Sequence, residues 1–282
     1  MTSTTTWLPP SSGRAAVMGI LNITPDSFSD GGQLYADGAP RWHGLYQRVA
    51  AMVEAGVDIL DVGGESTRPG AAAVTTGEEL SRVVPVVAWL KREFALPVSV
   101  DTSNPEVIAA ASGEGADLIN DVRALTRPGA LAAAAASGLP VCLMHMPAEP
   151  DLMQNNPVYA DVVAEVWDYL RQRVAACRDA GIDKGRIILD PGFGFGKTLD
   201  HNLALFRALP RLAAEGYPVL VGVSRKRMVG AIVGRDPGGR LVGSVALALL
   251  AAQRGAAIIR VHDVAETVDA LKILTAVEGN QP

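Results

Sequence analysis

The chain has 282 residues, of which 49% are hydrophobic and 20% are charged, and its formal net charge is −5. This composition is typical of a globular protein with a large buried core. An acidic chain is a poor candidate for a nucleic-acid-binding protein, because affinity for the phosphate backbone depends on clustered Lys and Arg. No apolar run approaches the ~18 residues of a membrane-spanning helix. The first residues lack the basic and apolar regions of a secretory signal.

The only two cysteines, Cys142 and Cys177, exclude a disulfide framework and a CxxC metal site. Sparse cysteine suits a reducing cytoplasm, which is the compartment we expect. Cys142 lies in the apolar run Val141–Met144, and this predicts a buried, unreactive thiol rather than a nucleophile.

Residues 1–14 are rich in Thr, Ser and Pro, which predicts a loose tail. Between residues 15 and 277, short apolar segments alternate with longer amphipathic ones. Most apolar segments are continuous and rich in Val and Ile, as expected of parallel strands buried on both faces. The predicted strands are Ala16–Leu21, Asp58–Val62, Pro97–Val100, Asp117–Ile119, Pro140–Met144, Arg186–Leu189, Pro218–Gly222 and Ala257–Val261.

Amphipathic stretches lie between the predicted strands, and several end in Gly, which adopts the left-handed conformation after a helix at little cost. The predicted helices are Trp42–Ala55, Glu78–Phe94, Pro105–Gly113, Gly129–Ser137, Asp161–Ala180, Asn202–Glu215, Gly243–Arg254 and Val264–Val277. Eight such units predict an α/β fold, a single (β/α)₈ TIM barrel with its active site at the C-terminal ends of the strands. A doubly wound open sheet is the alternative. No linker interrupts residues 15–277, so we predict one domain there, with tails at residues 1–14 and 278–282.

Polar residues stand at the C-terminal ends of the predicted strands, where chemistry takes place in a barrel. Asp101, Asn120 and Asp190 directly follow three apolar runs, so we expect their side chains to point into one mouth. A carboxylate beside an amide can hold a heterocycle by paired hydrogen bonds. Capping of the following helix explains any one of these residues equally well, and for Asp121 capping is the favoured interpretation.

A second candidate cluster is cationic, and its residue types suit a phosphate-like group. It consists of Arg68, Lys226, Arg260 and His262. Arg260 and His262 are two positions apart on a predicted strand and therefore share a face. The competing interpretation for Lys226 is the start of a solvated helix, and for Arg225 that interpretation is favoured.

The segment Gly192–Thr198 looks like a nucleotide-binding P-loop, but Pro191 stands where that motif needs its first Gly. We interpret the segment as a flexible, aromatic-bearing loop of the active site. Lys226 leaves a Schiff-base aldolase open as a minor alternative. His145 lacks metal-ligand spacing to the other histidines and is expected to be a core or supporting residue.

Two long motifs, Met18–Gly32 and Asp61–Gly70, resemble the two signatures of the bacterial dihydropteroate synthases. Five shorter motifs match in order and spacing, namely Val100–Thr102, Ile119–Asp121, Leu189–Lys197, Gly222–Lys226 and Arg260–Asp263. The resemblance implies a (β/α)₈ barrel, usually a homodimer, with Mg²⁺ as cofactor. The implied reaction joins 6-hydroxymethyl-7,8-dihydropterin diphosphate to 4-aminobenzoate, giving 7,8-dihydropteroate and diphosphate in folate biosynthesis. Sulfonamides are implied as competitors of the aminobenzoate.

The resemblance also implies roles for individual residues, carried over motif by motif. The pterin would be bound by Asp101, Asn120, Met144, Asp190, Phe195, Gly222 and Lys226. The diphosphate would be bound by Asn22, Thr67, Arg68, Arg260 and His262, with Asn22 as the Mg²⁺ ligand. The 4-aminobenzoate would be bound by Phe28, Thr67, Pro69, Ser224 and Lys226. The catalytic residues would be Asp101, Asp190, Lys226, Arg260 and His262, supported by Asp61.

An arylamine is a weak nucleophile, which favours a dissociative route in which diphosphate leaves before the new bond forms. Preorganised charge would then carry catalysis, and no protein nucleophile is needed. Two alternatives remain: a pterin methyltransferase barrel serving a corrinoid partner, and a non-catalytic pterin-binding paralogue. The methyltransferase would share the Asp101, Asn120 and Asp190 set but not the two loops or the Arg260–His262 pair.

Overall fold

The computed structural model describes residues 14–25, 34–36, 38–66, 74–147 and 157–279. Eight parallel strands form its centre. They are β1 Ala16–Asn22, β2 Ile59–Gly63, β3 Val98–Asp101, β4 Leu118–Asp121, β5 Val141–Met144, β6 Ile187–Asp190, β7 Leu220–Val221 and β8 Ile258–Val261. The predicted tails lie outside the described residues, except for Arg14, Glu278 and Gly279.

The strands are arranged as a nearly closed barrel. From β1 to β6 each strand pairs with the next along the chain, and β8 pairs with both β1 and β7. One bridge between Leu189 and Val219 joins β6 to the residues just before β7. Helices lie between the strands, so the predicted (β/α)₈ barrel is confirmed and the open sheet is excluded.

The predicted strands are found in place, with shifts of one or two residues at most ends. Asn22, Asp101 and Asp190 are the last residues of their strands rather than the first residues after them, and Asp61 lies inside β2. The seventh predicted strand, Pro218–Gly222, is too long, since β7 comprises only Leu220–Val221. Its ladder is incomplete because it has two paired residues with β8 and only the single bridge toward β6.

The helices of the described part are α1 Trp42–Glu54, α2 Thr76–Glu93, α3 Pro105–Gly113, α4 Ala130–Ser137, α5 Val162–Asp179, α6 Leu199–Ala213, α7 Arg227–Val233, α8 Leu241–Gln253 and α9 Val264–Glu278. A short hairpin, Tyr35–Ala36 with Ala39–Pro40, precedes α1. Helix α7 was not predicted, because seven residues with an internal Gly230 give too little periodicity to recognise. A Cβ built on Gly230 would come within 2.5 Å of the Arg240 guanidinium, so a side chain here would displace that guanidinium.

Alternate residues of the strands point into the barrel, and they form two layers. The lower layer, here called the apolar floor, is a separate buried cluster of Ala16, Met18, Ile59, Leu118, Cys142, Ile188, Leu220 and Ile258. The second layer, here called the polar layer, lies two positions further along the same strands. Strand β3 contributes no residue to the apolar floor, and its polar residue lies two positions after Ser99. The polar layer consists of Asp61, Asp101, Asn120, Asp190 and Arg260. Because side chains of a strand alternate with a period of two, the polar layer lies directly above the apolar floor.

Helix α5 begins at an N-cap that offers a test of local stability. Asp161 accepts hydrogen bonds from the backbone N–H groups of Val163 and Ala164 at 2.9 and 3.0 Å. We expect Asp161→Ala to lower the free energy of unfolding by about 1 kcal/mol, since two end N–H groups lose their partner. The Tm should fall by about 2 °C in a calorimetric scan. Asp161→Asn should keep most of the stability, and an equal loss in both variants would contradict the capping role.

The helices and the two thiols can be compared with the expectations about membranes and reactivity. None of the helices in the described ranges combines the length and hydropathy that a membrane crossing requires. Cys142 and Cys177 are both free and buried, as predicted for Cys142. Burial raises the pKa of the Cys142 thiol well above its ordinary value, which is consistent with an unreactive core residue.

Candidate active site

In the polar layer, two carboxylates bind the guanidinium of Arg260, and an amide binds one of these carboxylates. Arg260 donates from Nε to Asp61 at 2.6 Å and from Nη2 to Asp101 at 2.8 Å. Asn120 donates from Nδ2 to Asp61 at 3.3 Å, and the strand register places Asn120 beside Asp101. The predicted carboxylate and amide therefore do face one mouth, and Asp61 lies at their base with no exposed surface.

The charges in this cluster depend on one another. The pKa of Asp101 is raised to about 7: burial is the main cause, the adjacent Arg260 charge acts to lower it, and the Asp61 carboxylate acts to raise it. Burial alone would lower the pKa of Arg260, but Asp61 and Asp101 outweigh it and the pKa is raised. The guanidinium thus stays charged and forms the electrostatic centre of the mouth.

Asn22, the predicted metal ligand, lies at the end of β1 next to this cluster. A Cβ built on Gly63 would lie 3.5 Å from Cβ of Asp101 and 3.8 Å from Oδ1 of Asn22. Gly63 therefore leaves open space between the two side chains. An amide oxygen at the edge of a carboxylate-lined space has the oxygen-donor chemistry that Mg²⁺ prefers.

The segments after strands β5 and β6 fix the orientation of Asp190. Its Oδ1 accepts the backbone N–H of Gly192 at 2.7 Å. Gly192 has φ of +70°, and a Cβ there would lie 2.0 Å from the carbonyl oxygen of His145, so only glycine fits. Burial raises the pKa of Asp190, while the nearby Lys226 charge acts to lower it.

Lys226 directs its ammonium group into the mouth from the seventh strand–helix connection. Its Nζ donates to the carbonyl oxygen of Phe193 at 2.7 Å and lies 4.6 Å from the ring centre of Phe195. Burial lowers the pKa of Lys226 to about 8, with Asp190 opposing this shift. Although α7 begins directly after Lys226, the side chain is half-buried at the site, so the solvated-helix interpretation of this residue is wrong.

Two further predicted pterin contacts lie together beside Lys226. Met144 and Phe195 belong to a small apolar cluster with Val122 and Met146. A Cβ built on Gly222, which directly follows β7, would lie 3.8 Å from Cβ of Arg260 and 3.9 Å from Nζ of Lys226. The mouth consequently has an apolar wall on one side and charged groups on the others.

Arg225 was expected to be a solvated helix residue, and this expectation is wrong. Its guanidinium makes a two-point ion pair with the buried carboxylate of Asp263, with Nε donating to Oδ2 at 3.0 Å. Its φ of +57° places it in the left-handed region. The turn brings Ser224 to His262, whose Nδ1 lies 3.1 Å from Oγ of Ser224. Ser224, predicted to contact 4-aminobenzoate, and His262, predicted to contact the diphosphate, are thus hydrogen-bonding neighbours.

A supporting network was missed in the sequence. Asp121 accepts hydrogen bonds from the hydroxyl of Ser103 and from the backbone N–H groups of Arg123 and Leu125, and these bonds hold the turn after β4. Helix α4 begins only after Gly129 and has no side-chain cap, so the interpretation of Asp121 as the cap of the following helix is wrong. Arg123 also forms an ion pair with Glu65 at 3.1 Å. The network ties the ends of β2, β3 and β4 together. Its only sequence signal was an Arg two positions after a strand-ending Asp.

Four predicted site residues, Phe28, Thr67, Arg68 and Pro69, lie outside the described residues. Within the described ranges no group of three or more His, Cys, Asp or Glu side chains is arranged to hold a metal ion. A metal at this mouth would therefore depend on Asn22 and on oxygen atoms brought by a ligand. Mg²⁺ commonly binds in this way, through few protein ligands, water and phosphate oxygens.

Comparison with known proteins adds independent information. Residues 18–262 match the model of the family described as pterin binding enzyme. The dihydropteroate synthase of Escherichia coli K12 is 52% identical over 263 residues, covering 92% of this chain and 90% of that protein. A Yersinia pestis dihydropteroate synthase in complex with a sulfonamide drug has a TM-score of 0.91 and 50% identity, covering 95% of this chain and 96% of the other.

A Xanthomonas albilineans dihydropteroate synthase in complex with 7,8-dihydropteroate has a TM-score of 0.83 and 52% identity, with 94% of each chain covered. The region matched by the family model begins inside β1 and extends beyond the end of β8. On these grounds the chain belongs to the pterin-binding enzyme family and, within it, to the dihydropteroate synthases.

Proposed function

We propose that the protein transfers the pterinylmethyl group of 6-hydroxymethyl-7,8-dihydropterin diphosphate to 4-aminobenzoate, releasing diphosphate and 7,8-dihydropteroate. The observation that carries this proposal is the polar layer, in which Asp101, Asn120 and Asp190 surround one mouth together with Lys226 and Arg260. The dihydropteroate complex of the Xanthomonas albilineans relative and the sulfonamide complex of the Yersinia pestis relative support these ligand classes.

The pterin is the ligand that suits this layer. Its ring offers several N–H donors to the carboxylates of Asp101 and Asp190, and the Asn120 amide can both donate and accept. Lys226 donates to the ring carbonyl, and Met144 and Phe195 with Gly222 line the ring. Asp61, deeper in the barrel, holds Arg260 and Asn120 in position for this contact.

The diphosphate lies toward Asn22, Arg260 and His262 in this proposal. Carboxylates already occupy Nε and Nη2 of Arg260, so Nη1 is the part of the guanidinium best placed to meet a phosphate oxygen. Bound Mg²⁺ would supply positive charge to the leaving diphosphate, with Asn22 among its ligands. Thr67 and Arg68 complete the proposed diphosphate contacts. The proposed contacts of 4-aminobenzoate are Phe28, Thr67, Pro69, Ser224 and Lys226.

The reaction we propose is a dissociative displacement. The bond from the pterin methylene to the diphosphate oxygen breaks first, and the electron pair leaves with the diphosphate. Among the described residues of the mouth, the carboxylates of Asp61, Asp101 and Asp190 face the cations Arg260 and Lys226, so a transient positive charge on the pterin is stabilised there. The amine nitrogen of 4-aminobenzoate then bonds to the methylene and loses a proton.

The test is a two-product assay with purified protein, pterin diphosphate, 4-aminobenzoate and Mg²⁺. Diphosphate and dihydropteroate should form in equal amounts, and a chelator should stop both. Diphosphate release without dihydropteroate would refute the aminobenzoate site, and undiminished turnover after metal removal would refute the Mg²⁺ requirement. A chain that binds pterin without turnover would instead be a binding paralogue.

We further propose a cytoplasmic homodimer that binds neither nucleic acid nor membranes. Both cysteines are free thiols, which suits a reducing compartment. Exposed apolar residues lie on three successive helices near the C-terminus: Ile232 and Val233 on α7, Val242 and Leu250 on α8, and Ile273 and Val277 on α9. Such a surface supports an interface between copies. Light scattering coupled to gel filtration should give twice the mass of the chain.

A further inference from the structure

Lys197 is a buried cation just above the barrel whose contacts the proposed reaction does not use. Its Nζ donates to the carbonyl oxygens of Gly192 at 2.9 Å and Phe195 at 3.0 Å, and lies 3.0 Å from Nδ1 of His145. Only 6% of the residue is exposed. A Lys side chain is almost never buried to this extent unless it is paired, and here the partners are mostly backbone oxygens of one loop.

His145 is suited to accept one of these three hydrogen bonds. Burial and, to a smaller extent, the Lys197 charge together lower the pKa of His145 to about 3, so the ring is neutral. A neutral ring with its proton on Nε2 presents Nδ1 as an acceptor. The edge of the Tyr169 ring packs against this imidazole at a centroid distance of 4.9 Å, which fixes its plane. The three N–H groups of Lys197 thus have three acceptors within 3.0 Å, and the carbonyl oxygen of His145 is a fourth at 3.3 Å.

The loop held by Lys197 connects directly to the proposed pterin site. Gly192, whose carbonyl Lys197 binds, donates its N–H to Asp190. Phe195, whose carbonyl Lys197 also binds, places its ring under the ammonium of Lys226. Between them, the carbonyl of Phe193 accepts the hydrogen bond from Lys226. Lys197 therefore lies behind the loop while Asp190 and Lys226 contact it at the mouth.

We propose that Lys197 is a positioning residue that holds the loop from Gly192 to Gly196 in the shape that orients Asp190 and Lys226 toward the pterin ring. This inference rests on the proposed function, because it gives those two residues their role at the pterin. It assigns to Lys197 no contact with either substrate. The segment that looked like a P-loop in the sequence is thus a loop whose own lysine binds its backbone carbonyls, and not a phosphate cradle.

The loop has other attachments, which make a selective effect testable. The hydroxyl of Tyr159 donates to the carbonyl of Gly196 at 2.9 Å, and Oδ1 of Asn202 accepts the N–H of Gly194 at 2.8 Å. These contacts remain when Lys197 is replaced, so the loop is expected to change shape locally while the barrel stays folded. Of the 4-aminobenzoate contacts proposed above, Lys226 touches this loop, whereas Ser224 pairs with His262 instead. The pterin contacts should therefore be affected more than those of 4-aminobenzoate.

The experiment compares Lys197→Met with wild type by steady-state kinetics and by direct titration with the pterin diphosphate. Met matches the length of the Lys stem but cannot donate to the carbonyl oxygens. We expect the KM and Kd for the pterin diphosphate to rise about tenfold or more, as for the loss of charged hydrogen bonds. The KM for 4-aminobenzoate should rise by a smaller factor than the KM for the pterin diphosphate, because Lys226 is the contact shared by both substrates. Lys197→Gln, whose amide is too short to reach all three acceptors, serves if the Met variant does not fold.

Arg14→Met is the matched control. Arg14 also donates to a backbone carbonyl, that of Gly56, and to Asp58, but at the opposite end of the barrel. It should lower the Tm without changing either KM. A Lys197 variant that behaves like this control, with a lower Tm and an unchanged pterin Kd, would overturn this inference but not the proposed function. Wild-type protein that binds no pterin would overturn the proposed function and this inference with it.

Discussion

Asp190→Asn is expected to lower kcat by about 10²-fold or more, the effect of losing one key electrostatic group in a buried site. The carboxylate stands at the end of β6, with Oδ1 fixed by the N–H of Gly192 and only 6% of the residue exposed. Asn has the same shape but no charge, and its NH₂ group would face N–H donors of the ring. Positive charge that develops on the pterin as the diphosphate leaves would then lose its nearest counter-charge.

The measurement is kcat under saturation with both substrates, with the folded fraction checked by circular dichroism. Asp58→Asn is the control, since Asp58 is also a strand-flanking carboxylate, but it binds Arg14 and the N–H of Val17 at the N-terminal end of the barrel. It should cost stability and leave kcat unchanged. Wild-type kcat in Asp190→Asn would show that the carboxylate does not stabilise the transition state.

Lys226→Met is expected to lower kcat/KM for the pterin diphosphate by about 10-fold to 100-fold, because a charged hydrogen bond to the ring carbonyl is lost. The effect should depend on pH. Burial lowers the pKa of Lys226 to about 8, so the charged form predominates below that pH and is lost as the pH rises through it. Wild type should therefore lose pterin kcat/KM above pH 8, and the gap to the variant should narrow.

Comparing the two pH profiles isolates Lys226, because ionisation of the substrates affects both proteins equally. Any alkaline decline that remains in Lys226→Met belongs to other groups, such as Lys197, whose pKa is lowered to about 7 by burial. Arg227→Met is the control, as Arg227 is the neighbouring cation but is exposed on α7. A gap between wild type and Lys226→Met that stays constant with pH would falsify the assignment of the alkaline limb to this lysine.

Much of the barrel was predictable because its strands carry their own signal. Continuous runs of Val and Ile, each followed by a polar residue, located β1 to β6 and β8 to within two residues. The inward direction of Asp101, Asn120 and Asp190 followed from the same pattern, since they end buried strands. The limits of the short β7 and of helix α7 were misjudged because they depend on partners elsewhere in the chain, such as Leu189 and Arg240.

The supporting contacts of the site could not be predicted in the same way. Arg260 was expected to face a phosphate, but whether it also binds Asp61 and Asp101 depends on which strands become neighbours across the barrel. The pairing of Arg225 with Asp263 likewise needs a left-handed backbone conformation at Arg225, which the local sequence does not indicate. Residue type and spacing identify the candidates, while the three-dimensional partners decide which charges are already neutralised.

The seam between β6 and β7 is the least bonded part of the barrel wall, since only the Leu189–Val219 bridge crosses it. Local opening there should cost less free energy than elsewhere in the wall, so amide hydrogens of Leu220 and Val221 should exchange sooner than those of β1 and β2. Asp190 and Lys226 lie on opposite sides of this seam. A pterin held by both would act as a cross-link, and its binding should slow exchange along the seam more than in the rest of the wall.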